Sequence, residues 1–233
     1  SLKMHTLTRL RVRTVAHSSD GLVAHHFEDL EQQNESAVLG MWLFLAQEVM
    51  FFGGLFVSYL VYRMKFPDAW ATASGDLDVF LGGFNTVVLL LSSLTMASSV
   101  WCAQTGRQGG LKLGLWLTLI LGCTFLVVKY FEYKAKWDHH LIPGPNFHWS
   151  GPVIGSPTEG QIELFFILYF IMTGMHALHM IIGAGILIWI MSLAYKGYFH
   201  PQRYMKVELF GFYWHFVDIV WVFLFPLLYL VQR

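Results

Sequence analysis

The chain has 233 residues, 55% of them hydrophobic and 13% charged, with a formal net charge of zero. Soluble domains carry about 25% charged residues, so a water-exposed globule is excluded, and no basic surplus exists to neutralise nucleic-acid phosphates. Cys102 and Cys123 lie in apolar stretches without disulfide or zinc spacing and read as small packing residues.

Residues 1–35 form a polar lead-in that carries Lys3, Arg9, Arg11 and Arg13 and ends in the acidic stretch from Glu28 to Glu35. The first apolar run starts only beyond it, so no cleavable signal is expected. A bilayer core of ~30 Å takes ~20 apolar residues in a helix. Five segments meet that requirement, 36–62, 79–104, 111–133, 163–195 and 207–231. The expected fold is therefore all-α, an integral membrane bundle of five transmembrane helices over residues 36–233.

The first span places Glu48 about halfway along its length. A carboxyl at that depth faces protein or water rather than lipid. It can exchange protons with a histidine or a water chain, or it can stay neutral and bond a neighbouring helix. Gly54 and Ser58 follow at the small-xxx-small spacing of packed membrane helices. The second and third spans are joined by the tight polar turn 105–110 and form a hairpin, and Gly114, Thr118 and Gly122 repeat the small-residue spacing on the third. At the end of that span Glu132, Asp138, His139 and His140 read as an interfacial cluster, solvated or facing a partner. The connection 134–162 carries Pro143, Pro145, Pro152 and Pro157 among glycines, which excludes a sixth span.

The fourth span carries His176 and His179, three apart and so on roughly one helix face. Imidazoles suit iron, copper or zinc, but His-x-x-His lacks the Glu-x-x-His pattern of di-iron bundles. Satisfied histidines in a helix interface are the plainer reading. Met172, Met175 and Met180 read as core filler. On the fifth span His215 and Asp218 are also three apart, and either stabilise each other or reach across to another helix, while Trp214 and Trp221 share a face.

Nine basic residues fall on the side of the N-terminus and five on the other. The positive-inside rule then sets the N-terminus inside and the C-terminus outside.

The motifs WLFLAQEVMFF at 42–52, NTVVLLLSS at 85–93, FEY at 131–133, TGMHALHMIIG at 173–183 and YWHFVDIVW at 213–221 occur one in each span, in order. Together they resemble subunit III of the haem–copper terminal oxidases, in its short five-helix bacterial form. The resemblance implies an accessory subunit of a proton-pumping oxygen reductase in the bacterial cytoplasmic membrane, with cytochrome c as donor. It implies no haem, copper or other metal in this chain, since those belong to subunits I and II. The partners it implies are subunit I as main contact, subunit II, a small subunit, a larger respiratory supercomplex, and phospholipid bound between the helices. Glu48 takes the place of the family's membrane-buried glutamate, linked to proton entry, and His176, His179, His215 and Asp218 become the polar interior near lipid. Longer relatives have two further helices ahead of the first span, where this sequence is polar. The cleft they border is then open to lipid or completed by another subunit. A quinol oxidase subunit, a relative associated with nitric oxide reductase, and a self-contained membrane metalloenzyme using the histidines are the alternatives.

Overall fold

A computed structural model describes residues 30–231, and every described regular element is helical: α1 (Leu30–Lys65), α2 (Pro67–Ser74), α3 (Val79–Gln104), α4 (Gln108–Asp138), α5 (Glu159–Tyr195) and α6 (Met205–Tyr229). All but α2 are long and apolar enough to cross a membrane. The basic residues of the tail, Glu28, Asp29 and Arg233 lie outside the described residues. By internal contacts the chain divides within α1, between Phe44 and Leu45. Of the first unit, the described part is helical and leaves Leu39, Trp42 and Leu43 exposed.

In the second unit α3, α4, α5 and α6 close a ring, each antiparallel to the next, with α6 returning to α3. The helix ends follow local chemistry. Asp78 caps α3, its side chain accepting from Phe80 N at 2.9 Å and Leu81 N at 3.1 Å. Thr158 and Gln161 make a capping box at the start of α5. Gly106 and Gly197, at φ 75° and 70°, follow the last turns of α3 and α5, where a left-handed residue lets the chain reverse. α5, with 37 residues, is about 55 Å long and outreaches the hydrocarbon core.

The third-span pattern of small residues does bring two helices together. A β-carbon on Gly114 would meet the Thr95 carbonyl oxygen at 3.1 Å, and Thr118 Oγ1 lies 2.8 Å from Thr95 Oγ1. On α1 the same pattern packs nothing: Gly54 has open space around it, and the exposed Ser58 bonds back to Gly54 O. That pair faces outward from the second unit.

Two tryptophans of α6 fill the ring in layers. Trp214 fits between Gly122 of α4 and Gly183 of α5 and donates from Nε1 to Ser92 Oγ at 3.0 Å. One level on, Trp221 packs on Phe125 at 4.8 Å and donates to Thr86 Oγ1 at 3.1 Å.

The eight-residue α2 has no counterpart among the expected elements. It starts on Pro67, buries Trp70 against Tyr59 and Phe165, and lies along α5. Thr72 exchanges hydrogen bonds with the backbone of Ile154 in the proline-rich connection. Lys136, at the end of α4, binds both the carboxylate and the carbonyl of Asp76. Together these contacts seal one end of the ring.

Candidate functional site

The buried polar residues sort into three places. The first joins α1 to α5. Glu48 Oε2 lies 3.2 Å from His179 Nε2, off the line of a direct hydrogen bond, with both side chains nearly buried. His179 Nδ1 sits 2.8 Å from the Met175 carbonyl oxygen. A carbonyl can only accept, so Nδ1 carries a hydrogen. The other ring nitrogen, Nε2, is then the one that faces the Glu48 carboxyl. Phe52 stacks over the His179 ring at 5.3 Å, and Tyr213 of α6 donates to the His179 carbonyl at 2.8 Å.

His176 parts from His179. Its ring is fully buried between Phe125, at 5.3 Å, and Trp221, at 5.2 Å, and neither nitrogen has a hydrogen-bond partner among the described residues. Residues three apart stand about 60° from each other around the helix, which is enough to seat His176 in the ring core and His179 toward α1. No group of three or more histidine, cysteine, aspartate or glutamate side chains is arranged to hold a metal among the described residues.

The second place is on the α3–α6 seam. His215 Nδ1 meets Ser93 Oγ at 2.6 Å, so the histidine reaches across to α3 rather than to Asp218. Asp218 is 2% exposed, and among the described residues neither of its carboxyl oxygens has a partner at hydrogen-bond geometry, although Ser93 stands within reach. Asn85, on the same inner side of α3, is likewise buried with an unpartnered amide.

The third place corrects the sequence reading. Glu132 does not belong to a solvated patch with Asp138, His139 and His140. Those three are exposed, whereas Glu132 is 6% exposed and is paired inside the ring with Lys129 at 3.0 Å. Lys129 Nζ spends its other two hydrogens on Tyr229 Oη at 3.0 Å and Tyr169 Oη at 3.2 Å. Both hydroxyls in turn donate to Glu132 Oε1, Tyr169 at 2.7 Å. The rings of Tyr133, Tyr169, Trp221 and Tyr229 surround the ammonium within 6 Å. Every hydrogen of the lysine is used, and opposite charges cancel within the cage, the conditions under which a buried network holds. The signal that identifies this pair is Lys-x-x-Glu at helical spacing inside an apolar run. Counting Lys129 only as one more positive charge passes over it.

Residues 158–232 match the family model described as cytochrome c oxidase subunit III. Cytochrome c oxidase subunit 3 of Corynebacterium diphtheriae is 33% identical over 196 residues, 83% of this chain and 87% of the relative. That of Thermostichus vulcanus is 28% identical over 197 residues, 84% and 88% of the two chains. A probable subunit 3 of Nocardia farcinica is 30% identical over 210 residues, 90% and 95%. On this likeness over most of its length, the chain belongs to the cytochrome c oxidase subunit III family.

Proposed function

We propose that the chain serves a proton-pumping haem–copper oxygen reductase of the bacterial cytoplasmic membrane as an accessory subunit, with its N-terminus inside. It packs on subunit I, while haem and copper reside in subunits I and II. Its own contribution is proton-linked: the Glu48–His179 pair stores and passes a proton close to the entry route of the neighbouring catalytic subunit. The observation that carries this reading is the 3.2 Å approach of a carboxyl and an imidazole within membrane-spanning helices. An intramembrane ionisable pair is costly to keep and is by default a functional-site hypothesis.

Phospholipid belongs to the same proposal. A groove of about 450 Å³ at the α4–α5 end is lined by Tyr130, Tyr133, Trp137, Ile142 and Phe170, with Lys134 among them. Its aromatic walls suit an acyl chain, and the ammonium of Lys134 suits the headgroup phosphate.

The test is Glu48→Gln in the intact complex. The amide keeps size and polarity but carries no exchangeable acid proton. Assembly is expected to be normal, with slower proton uptake and a several-fold shorter lifetime in turnover. Unchanged pumping and unchanged inactivation kinetics would refute the proton-linked role.

A further inference from the structure

His215 and Asp218 stand about one turn apart on α6, and Ser93 of α3 meets both. Its Oγ lies 2.6 Å from His215 Nδ1 and within reach of the Asp218 carboxyl. The carboxyl is buried, whereas Ser93 and His215 are half-buried. A carboxyl kept in an apolar bundle only to glue helices holds a donor fixedly. Asp218 does not, since neither oxygen has a partner at hydrogen-bond geometry among the described residues. Nor does Asp218 or His215 form an ion pair among them, those pairs being made elsewhere. Two titratable groups of α4 and α5 that approach this part of α6, Lys129 and His176, both lie against Trp221, a turn beyond Asp218. Glu48 of α1 faces His179 instead.

A hydroxyl donates one hydrogen while it accepts another, and an imidazole nitrogen can do either. We infer that Asp218, Ser93 and His215 form a proton relay across the α3–α6 seam, with Ser93 as the carrier between a buried acid and a half-buried base. At rest Asp218 is the acid, donating to Ser93 Oγ, and Ser93 donates to Nδ1 of the neutral ring. In transfer the O–H bond of Asp218 breaks as one forms at Ser93, and the former Ser93 O–H bond breaks as an N–H bond forms at Nδ1. One proton has crossed, leaving a carboxylate, an imidazolium and a hydroxyl turned toward Asp218, with net charge unchanged. The imidazolium can then give up its other ring hydrogen to water or to a base of the complex. The buried carboxyl thereby gains an exchange route that its own burial denies it. This relay is confined to α3 and α6 and stands whether or not the Glu48–His179 pair handles protons.

The test is hydrogen–deuterium exchange of the Asp218 carboxyl in the intact complex, followed by infrared spectroscopy after transfer to heavy water. The band is the protonated-carboxyl stretch that disappears in Asp218→Asn. Ser93→Ala and His215→Phe should each slow its exchange by about a hundredfold, the lower end of what a positioned proton-transfer group contributes, while Ser93→Thr keeps the original rate. Ser92→Ala serves as the control for loosened packing, because the neighbouring serine binds Trp214 instead, and should not slow exchange. Equal rates in Ser93→Ala and the unaltered chain would mean that water reaches the carboxyl directly. An unchanged rate in His215→Phe would remove the base from the row, and no band lost in Asp218→Asn would mean that no acid hydrogen is there to pass. Each of these results, or equal slowing by Ser92→Ala, would overturn the relay. Glu48→Gln should leave this exchange as it was, so the relay and the proton-linked role of Glu48 fail separately.

Discussion

Lys129 and Glu132 sit where an uncompensated charge costs several kcal/mol, and the tyrosine cage is what makes their burial tolerable. Removing one partner strands the other. Lys129→Met should therefore destabilise the subunit by about 3–5 kcal/mol, read as a drop in its detergent melting temperature. Adding Glu132→Gln should recover most of that loss, because the double variant leaves no buried charge. A double variant no better than the single one would mean that the cage acts through packing alone. Sequence alone marks Glu48, His176, His179, His215 and Asp218 as polar groups in apolar surroundings, since cost of burial is a property of the residue. It cannot say that His179 turns to Glu48 while His176 turns inward, because that depends on how each helix is rotated against its neighbours. Glu132 is misread for a related reason: its closeness to Asp138 along the chain says nothing about the lysine one turn earlier folding its ammonium under the same aromatic rings.

At the level of helices, the five spans are legible because twenty apolar residues in a row have few other uses. Their ends shift outward, since helical hydrogen bonding runs on into polar residues such as Glu31 and Asp138. α2 escapes notice because eight residues of mixed polarity carry no period long enough to read. The small-residue motifs look alike in sequence and differ in the structure. Gly114 is pressed against Thr95 and Ser99, whereas Gly54 touches nothing. Gly114→Leu should force α3 and α4 apart at a cost of about 1–3 kcal/mol, and Gly54→Ala should be neutral or slightly stabilising. Thermal unfolding of the two variants in detergent compares them directly. Equal loss at both positions would contradict the different packing of the two glycines.

For the molecule as a whole, the ring of four helices places its polar groups in three separate settings, none of which gathers three metal-ligating side chains among the described residues. The chain released from its complex should accordingly show neither stoichiometric metal nor haem absorption. A bound metal at one equivalent would revive the metalloenzyme alternative.

The seating of the second half of α1 bears on how the protein is made. Its anchors are Glu48 to His179, Phe52 to Phe216, and Tyr59 to the carbonyl of Leu227, each joining α1 to the much later α5 or α6. α3 and α4, by contrast, close on each other across one short turn. α1 is thus synthesised before each of these partners, and its carboxyl stays in the bilayer without His179 until that later helix has been made. A chaperone or insertase that shelters this segment during synthesis would relieve that exposure.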